Sequence, residues 1–143
     1  MDLALDEARA ADKADEVPVG CVVVRGDAVI ARAGNSTLRD RDPTAHAELL
    51  AIRQATALLG SERLTDCDLY VTLEPCAMCA AALSFARIRR LYYGAADPKG
   101  GAVDNGVRFF AQPTCHHRPE VYGGINESEA ATLLRDFFAA RRD

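Results

Sequence analysis

Two short stretches carry residue types that can do chemistry together. The first is Thr44-Ala45-His46-Ala47-Glu48 and the second is Glu74-Pro75-Cys76-Ala77-Met78-Cys79. As a pattern they are H-x-E followed, about thirty residues on, by P-C-x-x-C. An imidazole and two thiolates are ligand types that zinc prefers. Three protein ligands leave the fourth tetrahedral position open for water, which separates a catalytic zinc from a closed structural one. His46, Cys76 and Cys79 are therefore the candidate ligands for one zinc per chain. Glu48 is the carboxylate left over, with the expected role of moving that water's protons. Such a centre makes hydroxide available near neutral pH. A carboxylate beside two thiolates should have a raised pKa, which suits a proton shuttle. A lone histidine near a helix start is usually structural; here the distant P-C-x-x-C completes a set.

The elements that must position these residues follow from periodicity and breakers. Asp2 to about Lys13 mixes leucines and alanines with charges and predicts a first amphipathic helix. The β-branched run Val19 to Val24 predicts a buried strand, and Ala28 to Ala33 a returning one. Asp42-Pro43-Thr44 predicts a helix start, with the helix running to about Leu59 and stopping at Gly60. Asp68 to Leu73 predicts a strand, and Pro75 a helix through about Ala86 that places Cys76 and Cys79 on one face. Glu74 is expected as a supporting or capping carboxylate. Ile88 to Ala95 and Glu120 to Tyr122 predict further strands. Between them, Asp97 to Gly106 is rich in turn signals and predicts a mobile loop overhanging the site. Glu127 to Arg142 predicts a last helix with Leu133, Leu134, Phe137 and Phe138 as its apolar face. Helices alternating with strands imply an α/β fold: a three-layer α/β/α sandwich around a mixed, mostly five-stranded sheet. Ligands of such sheets lie at the carboxyl ends of strands. The 143 residues are expected to form a single domain, 1–143.

The odd count of five cysteines, two of them in C-x-x-C spacing near a histidine, argues against a disulfide framework. Cys21, Cys67 and Cys115 read as small buried hydrophobes, although His116 and His117 after Cys115 leave a stray-ligand reading open. No apolar run is long enough to span a membrane, and the acidic Met1-Asp2-Leu3 start is not a basic signal peptide, so the cytoplasm is the expected compartment. The net charge of −4 does not announce a nucleic-acid binder. Its distribution is uneven, with Arg87, Arg89, Arg90, Lys99, Arg108 and Arg118 set against Asp97 and Asp104 over one stretch, and Arg141 and Arg142 at the tail. That pattern allows a local basic face or merely a solvated surface.

From Val17 to the C-terminus the chain resembles the bacterial tRNA-specific adenosine deaminases of the cytidine-deaminase-like superfamily. The resemblance rests on the two motifs above, on Val17-Pro18-Val19-Gly20, Gly34-Asn35, Tyr93-Gly94-Ala95 through Gly101, and Asp136-Phe137-Phe138. H-x-E with P-C-x-x-C is the signature of the zinc nucleobase deaminases. The resemblance implies conversion of adenosine to inosine at the tRNA wobble position, an anticodon stem-loop as partner, a homodimer, and no DNA partner. It implies that Asn35 holds the target base, where turn chemistry is the plainer reading. Asp97, at the head of the overhanging loop, is placed with Asn35 as substrate-binding. Two alternatives stay open: a deaminase of free bases or nucleosides of the guanine or cytosine type, and a non-catalytic zinc module that binds RNA. The unused Glu48 and the missing fourth ligand speak against the last.

Overall fold

A computed structural model describes residues 1–141. The elements in chain order are α1 (Asp2–Lys13), β1 (Gly20–Arg25), β2 (Ala28–Gly34), α2 (Ala47–Leu59), β3 (Cys67–Leu73), α3 (Ala77–Phe85), β4 (Arg90–Ala95), a 3-10 turn (Phe109–Ala111), β5 (Glu120–Tyr122) and α4 (Glu127–Ala140). The five strands form one mixed sheet in the order β2-β1-β3-β4-β5. β1 pairs antiparallel with β2 and β3, while β3, β4 and β5 run parallel. α1 and α4 touch each other and cover one face; α2 and α3 touch each other on the other. This is the expected α/β/α sandwich.

The layers follow from strand alternation. Cys21 and Val23 of β1, Leu69 and Val71 of β3 and Leu91 of β4 point into the core shared with Ala47, Ala51, Ala55 and Leu83 of α2 and α3. Alanines dominate the helix side of that contact, so the two site-bearing helices lie close on the sheet. On the opposite face Gly20 lets α1 approach: a Cβ there would collide with the Ala4 carbonyl. α2 ends at Gly60, whose φ of 65° is the left-handed cap that glycine tolerates best.

Several boundaries differ from expectation. α2 starts at Ala47 rather than near Asp42, because the Asp42 carboxylate accepts the Thr44 amide (2.8 Å) and hydroxyl (2.7 Å) and turns the chain there instead. α3 starts at Ala77, one residue past Cys76. β4 starts at Arg90 because Arg87 adopts φ 61°, breaking the chain from α3. α4 ends at Ala140, and Arg142 lies outside the described residues. Phe137 of its expected apolar face is buried, but Phe138 is 47% exposed. The Asp97–Gly106 loop, expected to be mobile, is tied down by Glu74.

Candidate active site

His46 and Cys76 occupy equivalent places. Each is the residue before a helix, His46 before α2 (φ −77°, ψ 150°) and Cys76 before α3 (φ −73°, ψ 176°). An extended residue at a helix entrance can aim its side chain across the gap between the two helices. Cys79 lies in the first turn of α3 and is fully buried. The two cysteines therefore do not share a regular helical face as the spacing suggested, yet they converge. His46 Nδ1 is 3.6 Å from both the Cys76 and Cys79 sulfurs. Zinc bonds of about 2.3 Å to sulfur and 2.0–2.1 Å to nitrogen at tetrahedral angles put such N···S edges at about 3.6 Å. The donor set fits a single zinc. Among the described residues no other group of three or more potential ligands comes together. Cys115 contacts the Ser84 hydroxyl and the His117 carbonyl, and the His117 ring meets the Ile88 carbonyl, so that cluster is structural.

The electrostatics suit the same assignment. The Cys76 sulfur accepts a hydrogen bond from Cys79, and with help from His46 this lowers Cys76 to about 4 while Cys79 is pushed up. The pair shares one thiol proton that a cation would displace. Glu48, in the first turn of α2, is buried; burial first and the Cys76 charge second raise its carboxyl to about 7. That is the range in which a group both takes and gives a proton at neutral pH.

His46, Glu48 and Cys76 line a pocket of about 240 Å³ with Val17, Val19, Asn35, Leu73, Glu74, Asp97 and Gly100. Its size lies below the roughly 300–1,000 Å³ of sites for drug-sized ligands, and it suits one flat heterocycle. Asn35 lines the pocket and does local structural work. Its Oδ1 accepts the Ala47 amide at 2.8 Å, capping α2 between the two H-x-E side chains. Its amide N–H groups remain to meet a ligand. Asp97 Oδ1 accepts the Lys99 (3.1 Å) and Gly100 (3.0 Å) amides, shaping the loop that closes the pocket. A neighbouring groove of about 720 Å³ shares Val17, Leu73 and Asp97 with the pocket and adds Lys99, Leu134, Phe138 and Arg141.

Two buried carboxylates hold loops around the site: Glu74, expected as a supporting or capping carboxylate, and Glu16, to which sequence reasoning assigned no part. Glu74 Oε1 accepts from the Asp97 amide (3.0 Å) and Asn105 Nδ2 (2.7 Å); Oε2 accepts from the Val103 (3.0 Å), Asp104 (2.9 Å) and Asn105 (3.0 Å) amides. It grips the whole overhanging loop and caps no helix. Tyr93 adds a hydrogen bond to Asp104. On the other side Glu16 grips Leu38 and Arg39. The one local hint was position: each glutamate stands at a strand-ward break beside a Val-Pro or Pro-Cys step.

The basic stretch divides. Arg89 binds both Asp68 oxygens at 2.9 Å and Arg90 binds Glu120 at 2.8 Å. Arg90 pairs with Asp68 and Ala95 with Leu73 across the parallel strands, so Arg90 opens β4 and the site follows its far end. Five strand residues separate the two levels, roughly 17 Å. Arg89 and Arg90 are therefore not beside the pocket of their own chain.

These layers, this donor set and the buried carboxylate beside it define a zinc-dependent hydrolytic deaminase. The family described as the cytidine and deoxycytidylate deaminase zinc-binding region matches residues 1–95. The chain belongs to that family. It is 66% identical over 142 residues to the tRNA-specific adenosine deaminase of Agrobacterium fabrum, covering 99% of this chain and 93% of that one. A structure solved in a study of A-to-I editing by tRNA:A34 deaminases at the wobble position superposes with a TM-score of 0.92 at 66% identity, covering 94% of this chain and 97% of that one. Guanine deaminase from Nitrosomonas europaea is more distant, with a TM-score of 0.79 at 26% identity, covering 96% of this chain and 82% of that one.

Proposed function

We propose that the chain, acting as one domain, deaminates adenosine to inosine at the wobble position of tRNA. The observation that carries this reading is the pairing of a base-sized pocket with an adjoining groove that holds Lys99, Arg141 and the exposed Phe138. An enzyme for free bases has no use for such an extension. A flanking nucleotide does, through phosphate contacts and base stacking. The likeness at 66% identity to a tRNA-specific adenosine deaminase points the same way.

In this reading His46, Cys76 and Cys79 hold zinc, which when bound makes water reactive toward the amine-bearing ring carbon at neutral pH. Glu48 accepts that water's proton and delivers it to the adjacent ring nitrogen. Attack leaves a hydroxyl on C6; Glu48 takes that hydroxyl's proton and passes it to the amine as the C–N bond breaks and the carbonyl forms, so one water enters and one ammonia leaves. The Asn35 amide donates to acceptors on the base and fixes its orientation. Asp97 and Gly100 close the pocket around it. Anticodon-loop bases are already splayed, so extruding one is inexpensive.

A homodimer completes the reading. Leu58 and Phe85, 65% and 73% exposed, sit near the ends of α2 and α3 and give those helices apolar surface to bury. Light scattering at micromolar concentration checks this, with a monomer as the contrary result. Among the described residues no helix is long and apolar enough to cross a membrane.

The likeness to a guanine deaminase keeps one other reading in view, a free-base substrate. Ammonia release should be measured with an anticodon stem-loop and with free adenine, guanine and cytosine, across a salt series. The reading predicts turnover of the stem-loop alone, weakening steeply with salt as phosphate contacts are screened. Salt-insensitive turnover of a free base with none on RNA would replace it with the alternative.

A further inference from the structure

Glu16 is a carboxylate with 1% exposure at the turn between α1 and β1, a position where a charge is costly to bury. It is fully engaged. Oε1 accepts the Leu38 amide at 3.1 Å, and Oε2 accepts the Arg39 amide at 2.9 Å and Arg39 Nε at 3.2 Å. Burial alone would raise its carboxyl; the two amides and the guanidinium outweigh that and hold it below the usual range. The fork of Arg39 reaches further. Its Nη2 donates to the Asn35 carbonyl at 3.1 Å. Asn35 is thereby held at three points: its carbonyl by Arg39, its amide by the Val19 carbonyl at 3.0 Å, and its Oδ1 by the Ala47 amide. What is left over is the Nδ2 group, on the residue that lines the pocket.

We propose that Glu16 and Arg39 form a positioning clamp that sets the direction in which Asn35 presents its amide to the base. The inference rests on the reading above that Asn35 meets the base. The arrangement is poorly explained by stability alone. The Arg39 side chain is half exposed, and ion pairs in such surroundings contribute little to folding. A loop merely needing closure is already closed by the two backbone amides that Glu16 accepts. The guanidinium adds the one contact that the amides do not provide, the grip on Asn35. Only a planar fork can hold a carboxylate with one edge and a carbonyl with another; a lysine offers one point charge. A clamp of this kind acts on binding and orientation more than on the proton transfers that Glu48 performs.

The test uses the full-length zinc-loaded protein with an anticodon stem-loop. Arg39→Met leaves both Glu16 amide bonds in place and removes only the fork. It should raise KM for the stem-loop about tenfold, with kcat changed less than about threefold and zinc content and thermal midpoint preserved. Arg39→Lys should fail to rescue. Glu16→Gln should move KM in the same direction; should it fail to fold, the Arg39 variants still decide. The second arm repeats Arg39→Met in an Asn35→Ala background. A clamp acting through Asn35 predicts no further loss there. A full, additive loss in that background would make Arg39 a direct RNA contact and overturn the proposal. So would an unchanged KM in the single variant, or a loss confined to thermal stability. Failure of the functional reading itself shows separately: the unaltered protein would not act on the stem-loop, or Asn35→Ala alone would have no effect.

Discussion

His46 Nδ1 lies 3.6 Å from the sulfur of Cys76, although thirty positions separate them in the chain. The contact exists because α2 and α3 begin side by side above the same sheet, each led by an extended residue. Cys79 Sγ stands at the same distance from that nitrogen, and both nitrogen–sulfur distances match the edges of a zinc tetrahedron. Elemental analysis of the purified protein should find one zinc per chain. Cys76→Ala should lose most of it, and a variant that kept a full equivalent would remove Cys76 from the ligand set.

Glu48 touches the same centre without being needed to hold it. Glu48→Gln should keep the zinc and the fold while turnover falls by about 10²–10⁴, the usual loss on removing a proton carrier. More than a tenth of the normal rate would hand the proton transfers to another group.

The raised carboxyl of Glu48 has a consequence for stability. Its pKa moves from 4.5 to about 7 on folding in the metal-free state, so the folded chain holds a proton that the unfolded chain has released. The neutral acid's contribution is fully present below pH 4.5 and is lost as pH rises through about 7. Chelated Glu48→Gln protein should therefore gain on chelated wild type as pH climbs across that window, by of the order of 3 kcal/mol. Cys76, lowered to about 4, changes in the opposite sense in both proteins, and its charge is part of what raises Glu48. Urea titrations at pH 5 and pH 8 read the effect directly; a constant difference would place the Glu48 carboxyl in its ordinary range.

Glu74 gathers five donors on two oxygens. Glu74→Gln must turn an amide group toward some of those donors, leaving buried N–H groups without partners at about 1–3 kcal/mol each. The expected outcome is a loss of about 2–4 kcal/mol in chemical denaturation, with faster hydrogen exchange concentrated in residues 97–105. Unchanged exchange there would show that the loop is held by other contacts.

The ligands, Glu48 and the alternation of helices and strands were legible because each is a local signal: a motif, a period or a breaker. β5 was read to the residue. The start of α2 was not, since Asp42-Pro43-Thr44 has helix-start chemistry but spends the Asp42 carboxylate on an Asx turn. Nor were the parts played by Glu16 and Glu74, whose hydrogen bonds cross 22 to 31 positions, or by Arg39, which joins Glu16 to Asn35. The run from Arg87 to Arg118 allowed a local basic face or merely a solvated surface; strand direction puts Arg89 and Arg90 at the sheet end away from the site. Topology, which composition does not encode, decides such questions.

The central claim is hydrolytic deamination of a single adenosine in an RNA loop by the centre that His46, Cys76, Cys79 and Glu48 build. The most direct measurement is mass spectrometry of an anticodon stem-loop with adenosine at its first anticodon position, incubated with the protein in oxygen-18 water. The account predicts inosine at that position alone, with one solvent oxygen incorporated per conversion and none formed by Glu48→Gln. An unmodified stem-loop, conversion at other adenosines, or inosine lacking the solvent label would contradict it.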